Sequence, residues 1–108
     1  MSENKIEVTT RVYFGRAVEI AVGRKNAIEF FKECREEQKP TIRIKIDDEF
    51  YKFTLTAAFW KTCHEIRDRK PKYPIKTFIE RLRPNEEKNG VKLSLYKLGG
   101  NDFELKLR

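Results

Sequence analysis

A single histidine, two cysteines and five scattered glycines leave this 108-residue chain short of the groups most enzymes use. A nucleophile needs a positioned base beside it. His64 directly follows Cys63 in a stretch that reads as helix, where adjacent side chains diverge by about 100°. The two form no dyad. Neither CxxC nor HxxxH occurs, so the ligand spacing of a zinc site is missing. No GxGxxG or GxxxxGK-S/T stretch is there to cradle a phosphate, and Gly99 and Gly100 fall in a hairpin turn. Asp47, Asp48 and Glu49 could attract a divalent cation, but the same residues are ordinary turn formers. The expectation is a protein with no enzymatic activity, metal or cofactor.

Long apolar runs are lacking as well. Nothing approaches the roughly 20 residues of a membrane helix, and the opening MSENKIEVTT has no apolar stretch to act as a secretion signal. An intracellular, cytoplasmic location without membrane contact is expected. Cys34 and Cys63 then read as buried reduced thiols inside helices, with a mutual disulfide as the alternative in a hyperthermophile. Abundant Lys, Arg, Glu and Ile beside a lone glutamine, Gln38, suits a thermophile.

What is present in quantity is charge. Charged residues make up 38% of the chain against 39% apolar, and the net charge is +7. The excess is uneven. Between Lys61 and Arg83, eight basic residues stand against Glu65, Asp68 and Glu80. Such clustering is the electrostatic footprint of a polyanion binder, or else a solvated surface kept soluble by charge.

Apolar residues recur at regular spacing, so the chain reads as one folded domain. Ile6, Val8, Val12 and Phe14 alternate with Glu7, Thr9, Arg11 and Tyr13 as a half-buried strand over 6–14. Gly15 and Arg16 offer a turn. Val18, Ile20 and Val22 continue the period of two, although RAVEIA could equally be helical, and Gly23 ends the segment. Asn26 and Glu29 form a capping box that predicts a helix to about Gln38, with Ala27, Phe30, Phe31 and Cys34 as its stripe. Pro40 forbids its continuation.

Thr41–Ile46 alternates again, Asp47 to Glu49 read as the turn, and Phe50–Leu55 returns. Parity sets this hairpin. An even loop puts Ile42, Ile44 and Ile46 on one face with Tyr51, Phe53 and Leu55, whereas an odd loop would bury Lys52. The other face then displays Thr41, Arg43, Lys45, Phe50, Lys52 and Thr54. Thr56 caps a predicted helix from Ala57 to about Arg69, with Phe59, Cys63 and Ile66 inward and Trp60 on the stripe's edge. Lys70 to Pro74 is a stiff basic connector. A third helix runs from Pro74 to Pro84 on Ile75, Phe78, Ile79 and Leu82, and Val91–Leu98 with Phe103–Leu107 forms a last hairpin. The expected fold is α+β: an antiparallel sheet of about four to six strands with about three helices, mainly on one face.

Single-stranded nucleic acid is held by cations for phosphates and aromatic faces for bases. The candidate phosphate contacts are Arg11, Arg43, Lys45 and Lys52 on the sheet, with Arg67, Arg69, Lys70 and Lys72 at the helix end. Candidate stackers are Tyr13, Phe50, Trp60 and Tyr73; each has a competing reading as core.

The hairpin followed by FTLTAAFWKTCHEI resembles the strand-to-helix signature of positive cofactor four type single-stranded DNA-binding domains. There a basic hairpin precedes a Thr- or Ser-led helix carrying a Trp. Three helices depart from that simpler pattern. With RVYFGRAVEIA leading into helix and basic sheet, the whole chain resembles the ThermoDBP group of archaeal single-stranded DNA-binding proteins. That resemblance implies DNA bound in an apolar cleft bordered by basic residues. The resulting expectation is a binder of single-stranded DNA with little sequence preference. An RNA-binding module is one rival. A protein-interaction or oligomerisation domain, pairing through the edge of the C-terminal hairpin, is the other, and a homodimer is compatible with either function.

Overall fold

Alternation near the N-terminus becomes an antiparallel pair, β1 (Lys5–Tyr13) and β2 (Ala17–Ala21), with Val8, Val18 and Ile20 buried on its inner face. The structure is a computed structural model that describes residues 4–13, 17–34, 40–69, 72–84 and 87–108. Phe14, expected to end the first strand, and the expected turn at Gly15 and Arg16 lie outside them. The second hairpin, β3 (Thr41–Ile46) and β4 (Glu49–Thr54), takes the register that parity demands: Ile42 opposite Phe53 and Ile44 opposite Tyr51. Its loop is shorter than expected. Asp47 and Asp48 alone make the turn, both at positive φ (55° and 65°), and Glu49 already pairs with Ile46. Positive φ at both central residues is the two-residue geometry whose twist matches the flanking strands.

Two of the expected helices are cut short. The first, α1, spans Arg24–Glu29 and starts one turn ahead of the capping box, with Gly23 at φ 87° as its N-cap. The Asn26 amide instead donates to the carbonyl of Val22 (2.9 Å). A 3-10 turn follows at Lys32–Cys34. It buries both Phe31 and Cys34, which sit three apart and eclipse in that winding. The expected continuation to Gln38 lies outside the described residues.

The second, α2, is Ala57–Lys61 rather than a helix to Arg69. Thr62 and Cys63 both donate to Ala58 O, His64 turns into the left-handed region at φ 52°, and its Nδ1 lies 2.8 Å from Phe59 O. The chain then straightens into β5 (Glu65–Arg67) along the open side of β2. Ile66 is buried either way, by strand alternation or by helical spacing, so periodicity could not separate the two. Unpaired backbone on β2 decides for strand, because β5 satisfies it. Cys63 thereby becomes exposed and Cys34 is buried, with no disulfide joining the two.

The third helix, α3 (Pro74–Leu82), starts at its proline and buries Ile75, Phe78 and Ile79, while Leu82 is exposed instead of closing the seam. The last hairpin, β6 (Lys92–Gly99) and β7 (Asp102–Leu107), is inserted at the centre of the sheet. The strand order is β4-β3-β7-β6-β1-β2-β5, with β3 and β7 parallel, so among the described residues the sheet has seven mixed strands rather than four to six antiparallel ones. That placement overturns the C-terminal hairpin as an exposed edge. The edges are β4 and β5, and the sheet curls until these two approach each other without pairing.

The core fills the concave face under the helices. Phe31 is fully buried, edge-on to Phe30 and Phe59 (centroids 5.3 Å in each case) and tilted against Phe103 (5.0 Å). Among the described residues no helix is long and apolar enough to cross a membrane.

Candidate nucleic-acid interface

The convex face of the β3–β4 hairpin carries the six residues that parity places there, Arg43, Lys45, Phe50 and Lys52 among them. Arg43 stands opposite Lys52 and Lys45 opposite Phe50, a residue that remains 40% exposed. The Arg43 guanidinium lies 4.5 Å from the centre of the Phe50 ring. Such a contact stiffens both groups and occupies one side of the ring. Arg43 is not a bare cation, however. Its Nε and Nη2 donate to Asp102 Oδ1 (2.8 Å) and Oδ2 (2.6 Å) across the parallel β3–β7 pair. This fork holds the Asp102 carboxyl below the usual carboxylate range.

The other nominated cations divide in the same way. Lys45 Nζ is 4.0 Å from Asp48. Arg11 and Arg67 face outward on the β1–β2–β5 part of the sheet, but Arg11 pairs with Glu65 (3.6 Å) and Arg67 with Glu19 (3.5 Å). Tyr13 ends β1 opposite Ala17 on that same part, away from Phe50. The broad cationic face expected from the sequence is therefore interleaved with carboxylates from neighbouring strands. Among the described residues, Lys52, Arg69 and Lys72 have no carboxylate partner within 4.0 Å.

Those three residues come together where the sheet fails to close. Arg69, just past β5, reaches across and donates from Nη1 to the Lys52 carbonyl on β4 (3.4 Å). A hollow of about 240 Å³ opens beside this bridge, lined by Glu49, Phe50, Tyr51, Arg69 and Lys72. A second, of about 300 Å³, adjoins it over Ile46, Tyr51, Lys72, Pro74 and Phe78. Tyr51 and Lys72 border both. The result is a groove that passes from the exposed Phe50 ring, over the β4 edge, to the N-terminus of α3.

Asp68 sets the shape of that groove. It is 6% exposed, and its carboxylate accepts from the backbone N–H groups of Arg69 (3.0 Å), Ile75 (3.0 Å) and Lys76 (2.9 Å). One buried side chain therefore caps α3 and ties down the start of the basic connector. Tyr73 completes the connection in the left-handed region (φ 47°), its N–H on Arg69 O (2.8 Å). It is half-buried. Lys70 lies outside the described residues. Trp60 belongs to the helix layer on the opposite face from Phe50, half-buried and edge-on to Phe59 (4.9 Å), so these two aromatics do not form one platform.

Two groove residues were missing from the sequence-based set. Tyr51 has the inward parity of a core residue but is only half-buried, and its hydroxyl donates to Glu49 Oε2, which raises the phenol above its usual range. Glu49 reads as a turn residue in the sequence, whereas it opens β4 opposite Ile46. The available signal was position: both stand among the first three residues of β4, an edge strand where the core thins. Among the described residues no group of three or more His, Cys, Asp or Glu could hold a metal. Compared with known family models, curated proteins and solved structures, the chain gives no match.

Proposed function

We propose that this protein binds single-stranded DNA along the β4–β5 groove, with its backbone on Lys52, Arg69 and Lys72 and a base stacked on the free side of Phe50. The observation that carries this reading is a 40%-exposed phenylalanine on a highly charged sheet face, flanked by Arg43, Lys45 and Lys52 and continuous with a groove bearing two more cations. A buried apolar side chain would need no such setting. An exposed ring beside phosphate-binding groups offers a π-face to any unpaired base, and a duplex hides the face that stacks.

Fluorescence anisotropy with labelled oligonucleotides tests this directly. Single strands should bind more tightly than duplex of the same length, and affinity should fall steeply with salt. No binding at low salt, or equal binding of duplex, would overturn the reading. Phe50→Ala should weaken single-strand binding by about 1–3 kcal/mol while leaving the thermal midpoint unchanged. Competition between matched DNA and RNA strands decides which polymer is preferred.

The Arg43–Asp102 fork makes a further prediction with the opposite sign. Asp102→Asn frees the guanidinium and removes a negative charge beside the track. Affinity should rise, and the plot of log affinity against log salt should steepen by about 0.7 for the added phosphate contact. An unchanged salt slope would place Arg43 outside the bound strand's path.

A further inference from the structure

A carboxylate is out of place in a groove built for phosphate. Glu49 lines the hollow beside Arg69 and Lys72, is exposed, and has one oxygen fixed by the Tyr51 hydroxyl. Among the described residues its Oε1 receives no hydrogen bond, so a fixed acceptor faces the groove with lone pairs to spare. Asp47, which lines the adjoining hollow, differs because Arg81 neutralises it. A strand crossing here must keep its phosphates on the Arg69 and Lys72 side and turn a hydrogen-bond donor toward Glu49. The hollow, about 240 Å³, falls below the roughly 300–1,000 Å³ of drug-sized sites and suits one planar base.

We propose that Glu49, oriented by Tyr51, reads one base of the bound strand and selects guanine at that position. The inference rests on the single-strand reading of the groove and adds one discriminating position to an otherwise sequence-tolerant track. Guanine alone presents two adjacent donors on its Watson–Crick edge, N1–H and the N2 amine, which match the two oxygens of a carboxylate. Cytosine and adenine each offer an amine with an acceptor beside it. Thymine offers one N–H flanked by two carbonyls, and those carbonyls are repelled by Glu49. Oε2 can accept from the base while it holds the Tyr51 hydroxyl, because each carboxylate oxygen has two lone pairs.

The test uses the full chain and short thymidine tracts of about 12 nucleotides, within the usual site size for such proteins. One tract is plain, one carries a single central guanosine, and one carries inosine, which lacks the N2 amine. Wild-type protein should prefer the guanosine tract over plain thymidine by about tenfold, with inosine in between. Glu49→Gln should erase that preference and at the same time tighten binding of the plain tract, since it removes a negative charge from a cationic groove. A purely structural role for Glu49 would not produce those two opposite changes. Equal affinity of the wild type for all three tracts, or a preference that survives Glu49→Gln, overturns the base-reading role alone. Failure of every tract to bind overturns both this inference and the single-strand reading beneath it.

Discussion

Asp68→Ala should cost about 3 kcal/mol of folding stability at neutral pH, far more than its place in a surface connector suggests. The substitution strands the N–H groups of Arg69, Ile75 and Lys76, each now without the carboxylate that accepts it. Bonds to a charged acceptor contribute roughly 1.5–3 kcal/mol, and a buried donor left unpaired costs about 1–3 kcal/mol. Asp68→Asn should recover part of the loss. Its carbonyl can serve Arg69 and Ile75, but its amide then faces the Lys76 N–H, donor against donor. Urea denaturation measures the stability, and hydrogen exchange at Ile75 and Lys76 shows whether the helix end is what loosens. A loss under about 1 kcal/mol, ordinary for an exposed cap, would mean that water replaces the carboxylate.

The pH dependence of that deficit has a definite sign. Burial of Asp68 outweighs its three backbone hydrogen bonds and raises its carboxyl above the usual carboxylate range. The folded state therefore holds the proton more tightly than the unfolded chain. The corresponding stabilisation is fully present below the unfolded value and is lost as pH rises through the raised folded one. Alanine lacks this titration, so the gap between wild type and Asp68→Ala should be wider in mild acid than at neutral pH. Function should follow structure here. Asp68 holds the backbone of Arg69 itself and of Ile75 and Lys76, just past Lys72, so the alanine variant should also bind oligonucleotides more weakly.

Phe31→Ala should be the most damaging single truncation, at about 3–5 kcal/mol. The ring is fully buried and touches three other phenylalanines, Phe30, Phe59 and Phe103, drawn from α1's C-terminal cap, α2 and β7. No neighbour can collapse into the space without breaking its own edge-to-face or tilted contact, each of which contributes about 0.5–1.5 kcal/mol beyond buried area. At about 4 °C per kcal/mol, the thermal midpoint should fall by roughly 12–20 °C. Phe31→Leu, which keeps most of the volume, should lose less than half as much. Equal losses for the two variants would show that ring geometry, rather than filled volume, stabilises the centre of the helix layer.

These two residues show opposite degrees of legibility. Phe31 was visible as core because it sits in an apolar stripe between polar neighbours. Asp68 was not, because the backbone N–H groups that donate to it lie up to eight residues ahead, across a connector with no periodic signal. The same division runs through the groove. Phe50 and Lys52 were legible as displayed residues from hairpin parity, which any strand with one buried face must obey. Tyr51 was assigned inward by the same rule and does point inward, but the sheet ends beside it and leaves it half-covered. The strand β5 was hidden because Phe59, Cys63 and Ile66 imitate a helical stripe over a window too short to tell the two periods apart.

By itself, the sequence determined the alternating strands, the parity of the β3–β4 hairpin, the start of α3 at Pro74, and the excess of positive charge. All of these follow from local rules of period, turn and proline geometry. Only the tertiary structure decided which cations stay available. Arg43 meets Asp102 because β7 slots in parallel beside β3, 59 residues away along the chain. Arg69 meets Lys52 because the sheet curls until its two edges nearly touch. Charge pairing depends on which strands become neighbours, and strand order is a long-range property that no local pattern encodes.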